Sequence, residues 1–194
     1  MVKFKVFIKT MMFVVVVTAM SFVWYGYILD GNIRASETVP SKPNFEQTNN
    51  QQFLNNVLQC VDYVYWKNKS FERVNVELLL AQAALESGWG DSRFAKVGKN
   101  LFGIRTYDLQ DPHMLPSNKP KNWGVKVYEH ECYSVEHYIK ILNNGTNFSE
   151  YRKMREDGIT DPFILVEALD AYASDKDYFS KIKSIIKKIR KDYN

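Results

Sequence analysis

Histidine and cysteine are scarce in this chain, with three and two among 194 residues. That scarcity narrows the chemistry. His130 and His137 lie seven apart, whereas a zinc-binding helix sets its histidines four apart. His113 has no ligand spacing around it. No metal or other cofactor is expected. The sequence also lacks a Ser-His-Asp string, a phosphate-cradling glycine loop and any internal repeat. Cys132 has no context for a nucleophile and reads as structural. Cys60 and Cys132 suit a disulfide in an exported domain, but sequence does not say whether their backbones come close enough.

A charge excess is missing as well, once the N-terminus is set apart. Four of the 26 bases and one of the 22 acids fall in residues 1–35, leaving 22 against 21 for the rest. A near-neutral domain gives no support for nucleic-acid binding. The one basic cluster, Lys181, Lys183, Lys187, Lys188, Arg190 and Lys191, alternates with Ile182, Ile185, Ile186 and Ile189. Its simplest reading is an amphipathic helix with a solvated basic face.

Long apolar runs are absent except at one place. Met11 to Leu29 is interrupted only by Thr18, Ser21 and Gly26, and Lys3, Lys5 and Lys9 precede it. At a rise of ~1.5 Å per residue this run matches a hydrocarbon layer of ~30 Å. The lysines orient it with the N-terminus in the cytoplasm, and Trp24, Tyr25 and Tyr27 fit the aromatic belt on the far side. A cleaved signal peptide requires small residues before the cut, and none are clearly placed. Residues 1–29 therefore read as a transmembrane signal anchor and 30–50 as a flexible linker with a reach of ~25 Å. The working domain, 51–194, is expected on the extracytoplasmic side of the membrane.

Within that domain, Phe53 to Tyr65 repeats at helical spacing. Val76 to Ser87 reads as a second helix that Gly88 stops. Leu101–Arg105 and Val125–Tyr128 are strand candidates, separated by a loop with three prolines that is long enough to suggest function. Ser134 is expected to cap a helix. Asp161 and Pro162 fit the N-cap and first position of another, and a last helix should run from about Asp175 to Arg190. The class is α+β and predominantly α, with a helical core and a small β-hairpin lobe flanking a groove.

One stretch carries chemistry. "AQAALESGWGDSRFA", Ala81 to Ala95, is an apolar, small-residue helix that ends on a carboxylate, Glu86. The negative end of the helix dipole and an apolar setting both disfavour the ionised form. A carboxyl that keeps its proton near neutral pH can serve as a general acid. A Glu that points to water or caps a loop is the plainer alternative.

That stretch, "KNLFGI" (Lys99 to Ile104), "SVEHYIKIL" (Ser134 to Leu142) and "LDAYASDKDYFSKI" (Leu169 to Ile182) together resemble the β-N-acetylglucosaminidases that cleave bacterial peptidoglycan. That family includes the muramidase-like domain of the flagellar rod cap protein, and the likeness is greatest to its Bax-type branch. The resemblance implies a lysozyme-like fold. It implies hydrolysis of the β-1,4 bond after N-acetylglucosamine, with glycan strands as partner. It makes Glu86 the general acid and places Tyr172 in the site. Trp89, Asn100, Phe102, Tyr107 and Trp123 are candidate substrate contacts, although Trp89, Asn100 and Phe102 are equally suited to packing.

The second carboxylate is where this chain departs from the family. An inverting mechanism needs a base about 6.5–9.5 Å from the acid, and a retaining one a nucleophile at about 5–5.5 Å. The candidates are Asp108, then Asp111, then Glu129, with Glu131 a further acid nearby. The substrate's acetamido group is the alternative nucleophile. A lytic transglycosylase and a non-catalytic wall-binding anchor are the competing readings.

Overall fold

The structure is a computed structural model that describes residues 39–46, 48–118, 121–172 and 175–193, without the side chains of residues 170–172. The anchor expected over residues 1–29 lies outside them. Among the described residues no helix is long and apolar enough to cross a membrane.

Two helices make the centre. Helix α1 (Asn50–Lys67) starts where the Asn49 side chain accepts from the Gln52 N–H. It buries Phe53, Val57, Cys60 and Val64, while Leu58 of the same apolar stripe stays exposed. Helix α2 (Val76–Ser87) is capped by Asn75 and is buried from Leu78 through Ala84. Such an all-round apolar helix is stable only when other elements surround it. Here they are α1, a short helix α6 (Pro162–Leu165) and the C-terminal helix α7 (Tyr178–Asp192).

The β lobe differs from the expected hairpin. After α3 (Arg93–Lys96) the chain forms β1 (Arg105–Thr106), β2 (His113–Met114) and β3 (Gly124–Lys126), in spatial order β1-β3-β2 with antiparallel neighbours. Leu101 and Phe102, expected in a strand, are buried in the helical core. Asn100 is the cause. Its Nδ2 donates to the carbonyls of Ile104 (2.9 Å) and Lys126 (2.8 Å). Its Oδ1 accepts from the N–H groups of Phe102 (3.3 Å) and Ile104 (3.1 Å). Those bonds curl residues 100–104 into a loop, and pairing starts only at Arg105. The long loop then crosses back to supply β2, so the lobe has a third strand.

Helix α4 (Glu131–Asn144) is capped by the His130 ring, which accepts from the Cys132 N–H, and not by Ser134. Ser134 turns inward and accepts from the Leu101 N–H, joining α4 to the loop. A 3-10 turn (Thr146–Phe148) leads to α5 (Ser149–Glu156). Asp161 caps α6 with Pro162 in its first turn, as expected, but the helix soon gives way to 3-10 geometry over Val166–Tyr172. The last helix starts at Tyr178 and not at Asp175, whose carboxylate accepts from the Asp177 N–H in a preceding turn. Ile182, Ile186 and Ile189 are buried, and several of its bases form surface ion pairs, such as Lys183 with Glu167.

Cys60 of α1 and Cys132 of α4 are joined by a disulfide that closes a 72-residue separation. The segment from Pro40 to Glu46, which sequence assigns to the linker, lies against the domain. Pro43 is buried and its carbonyl meets His130 Nε2 at 3.0 Å. Phe45 packs edge-on against Phe53.

Candidate active site

Helix α2 presents Glu86 at its C-terminal end because the chain reverses there at once. Gly88, Trp89 and Gly90 all have left-handed backbones, with φ of 58°, 58° and 83°. The Trp89 N–H returns to the Ala84 carbonyl at 2.8 Å, the closing bond of a Schellman turn. Ser87 secures it: its Oγ donates to the Ala83 carbonyl and accepts from the Gly90 N–H. The Trp89 ring lies 6.2 Å from both Phe53 and Tyr193, so it packs on the core.

On the far side of the carboxyl runs the loop that Asn100 curls. Gly103, at φ 63°, lies beside the acid, where a Cβ would stand 3.7 Å from Glu86 Oε2. That distance is ordinary contact, so it is the left-handed backbone, and not crowding by the carboxyl, that favours glycine here. The loop enters β1 two residues later, so the β lobe is attached beside the acid.

Glu86 is mostly enclosed. Burial pushes its carboxyl from the usual 4.5 up to about 7, and a hydrogen bond from Tyr178 opposes the rise. The Tyr178 phenol is itself buried and, with Glu86 beside it, is held far above its usual range, so it keeps its proton and acts as a donor. Gln82, one turn before Glu86 on α2, donates from Nε2 to Tyr178 Oη at 2.7 Å. The Tyr138 hydroxyl donates to Gln82 Oε1, and the Tyr138 ring stacks on Phe102 at 4.1 Å.

Gln82, Tyr138 and Tyr178 were not singled out from sequence. The signal was there: a glutamine within an otherwise apolar helix must find partners when buried. Tyr178 lies inside the "DKDYFSKI" part of the resemblance.

The remaining sequence candidates are dispersed. Phe102 and Asn100 are both 1% exposed, and all Asn100 bonds named above go to backbone. Their side chains face inward. Tyr107 is 69% exposed at the end of β1. Trp123 is half-buried with the Arg105 guanidinium 4.2 Å above its ring. Asp108 is exposed and its Oδ1 accepts from the Gln110 N–H. Asp111 forms a 2.5 Å ion pair with Lys126 and accepts from Thr106 Oγ1, and the Lys126 ammonium holds its carboxyl below the usual range. Glu129 is exposed, whereas Glu131 is buried and paired with Lys99 at 2.9 Å. Tyr172 ends the 3-10 segment, and its side chain lies outside the described residues.

His137 Nδ1 and the Tyr128 hydroxyl share a hydrogen bond of 2.7 Å, and burial favours the neutral imidazole. Among the described residues, metal-ligating groups converge at Cys60, His130 and Cys132. The two sulfurs there are bonded to each other.

Residues 63–191 match the family model for mannosyl-glycoprotein endo-β-N-acetylglucosaminidase. The chain belongs to the glucosaminidase family. It is 26% identical over 157 residues to the exo-glucosaminidase LytG of Bacillus subtilis (strain 168), covering 76% of this chain and 54% of LytG. It is 33% identical over 92 residues to protein bax of Escherichia coli (strain K12), covering 45% of this chain and 32% of that one. The chain thus spans about half or less of these relatives. Among solved structures, the catalytic domain of the autolysin Auto from Listeria monocytogenes superposes with a TM-score of 0.57 at 25% identity, covering 84% of this chain and 94% of that one. A peptidoglycan hydrolase from Sphingomonas sp. A1 shares the fold, with a TM-score of 0.55 at 23% identity, covering 70% of this chain and 86% of that one. These matches agree with a mostly helical domain bearing a small sheet.

Proposed function

We propose that the chain is a peptidoglycan hydrolase that cleaves the β-1,4 bond after N-acetylglucosamine, with Glu86 as general acid. The observation that carries this reading is the carboxyl of Glu86, enclosed at a helix C-terminus and holding its proton up to about pH 7. A glycosidic oxygen leaves poorly until it is protonated. Glu86 donates its proton to that oxygen as the C1–O bond breaks. Water then adds its hydroxyl to C1 and gives a proton to a base. Family membership and the named activities of LytG and the Sphingomonas protein support the substrate class.

The crossing loop supplies the base, Asp108 before Asp111, or the substrate's acetamido group replaces a protein nucleophile. Asp111 is the weaker base because Lys126 and Thr106 both bond its Oδ2 and the ammonium favours its charged form. Tyr172 positions substrate or water. Tyr107 and Trp123 offer aromatic faces to the glycan. The N-terminal anchor keeps the domain at the outer face of the cytoplasmic membrane.

The test is a digest of purified peptidoglycan with residues 36–194 and with the Glu86→Gln, Asp108→Asn and Asp111→Asn variants, read by mass analysis. Reducing N-acetylglucosamine ends, absent with Glu86→Gln, are expected. Asp108→Asn should slow release more than Asp111→Asn does. Anhydro-muramyl ends would mark a lytic transglycosylase. Retention on the glycan with no fragments would mark a non-catalytic anchor.

A further inference from the structure

The acid is held by a chain of uncharged groups that the general-acid reading leaves without a role. Gln82 and Tyr138 are 0% exposed and Tyr178 is 4% exposed, so water cannot replace their bonds. Every proton in the chain points one way. Tyr138 Oη donates to Gln82 Oε1. The amide then turns its Nε2 hydrogens toward Tyr178 Oη, 2.7 Å off. With that oxygen accepting, the phenolic hydrogen is free to donate, and Glu86 is its acceptor. Hydrogen bonds in such a series polarise one another.

We propose that Tyr178 is a positioning residue for the acid, its hydroxyl aimed by Gln82 to fix both the direction and the proton of the Glu86 carboxyl. The inference rests on the reading of Glu86 as the general acid. Of the elements packed around that carboxyl, α2 contributes the neutral Gln82, the 101–104 loop contributes the bare Gly103, and α7 contributes Tyr178. Among these the phenol is the titratable group. A bond to the ionised form favours ionisation, so Tyr178 works against burial and keeps the proton transferable at neutral pH. A carboxyl with no such partner would hold its proton to higher pH and sample more rotamers.

The experiment compares wild type, Tyr178→Phe, Gln82→Met and the double variant. Each is read by the pH profile of kcat on soluble glycan fragments and by the ¹³C titration of the Glu86 carboxyl, assigned by its loss in Glu86→Gln. For Tyr178→Phe the alkaline limb and the titration midpoint should both move up, by about one pH unit. The value of kcat below the limb should fall roughly tenfold, with KM within about twofold, since aim and not binding is lost. Gln82→Met should shift both in the same direction by less. The double variant should match Tyr178→Phe alone, because Gln82 acts through Tyr178.

A folded Tyr178→Phe with limb and midpoint unmoved overturns the inference, as does a double variant whose losses simply add. If Tyr178→Phe does not fold, Gln82→Met decides, because it removes the aiming amide at nearly constant volume. The titration does not need turnover. A wild type that releases no fragments defeats the hydrolase reading, while a midpoint that still moves in Tyr178→Phe shows the contact intact.

Discussion

Two carboxyls, one in the helical half and one in the β lobe, are treated in opposite ways. Glu86, in the helical half, has neutral partners and little water, and its carboxyl rises to about 7. Asp111, in the β lobe, stands in solvent beside Lys126, and its carboxyl is held below the usual range. The first stores a proton and the second stores a charge. Opposed environments are how one fold assigns acid and base roles to the same functional group. The difference reaches beyond the carboxyls. The helical half is built on an all-round buried helix and a disulfide. The β lobe has strands of two or three residues held by the amide of Asn100.

The most severe way to break the contrast is Glu86→Gln, which keeps the shape and removes the proton. Fragment release should fall by about 10³-fold, within the range for a general acid. Stability should move the other way. A carboxyl raised in the folded state contributes fully below its unfolded value of 4.5, and that contribution is lost as pH rises through about 7. The loss is roughly 3 kcal/mol for a shift of this size. Glu86→Gln should therefore unfold at a higher temperature than wild type at pH 8 and show no such gain at pH 4, by parallel thermal melts.

The helical half can be tested without touching its acid. Replacing Cys60 and Cys132 by serine frees a 72-residue separation, and chain entropy puts the cost at about 4 kcal/mol. Chemical denaturation of oxidised wild type and the double serine variant measures it. In the β lobe the corresponding lesion is Asn100→Ala. It unbonds two carbonyls and two N–H groups at a site 1% exposed. We expect a loss of roughly 2–3 kcal/mol, with helical circular dichroism retained and kcat reduced as the Gly103 loop drifts from Glu86.

The same contrast explains what the sequence revealed. Helices α1 and α2 were legible because apolar periodicity and a glycine stop such as Gly88 are local signals. So was Glu86, whose burial follows from the apolar residues before it in the chain. The β lobe was misread as a hairpin because its form depends on one side chain: Asn100 bonds to Lys126, 26 residues away, and no pattern announces that. Ser134 was a sound cap by type, but the His130 ring was nearer the helix start. Trp89 has a side chain suited to sugar, and its left-handed backbone turns that ring onto Phe53 instead. Tyr178 comes 92 residues after Glu86 in the chain and joins it only because α7 packs along α2. Pairing of Cys60 with Cys132 likewise depended on how α1 meets α4.

The mildest test distinguishes binding from chemistry within the β lobe. Trp123 stands half-buried with the Arg105 guanidinium 4.2 Å over its ring, a cation–π contact of about 0.5–1 kcal/mol at such a site. The contact holds the ring just ahead of the central strand β3, and under the proposed function a pyranose packs beside it. Trp123→Ala should raise KM a few-fold, equivalent to about 1 kcal/mol, and leave kcat and the pH profile unchanged. Arg105→Lys keeps the charge but not the planar stack, so it should show a smaller rise in KM of the same kind. A fall in kcat, or a moved alkaline limb, would mean that Trp123 reaches the proton on Glu86. The two carboxyls would then share one environment, and the division of labour between helical half and β lobe would not hold.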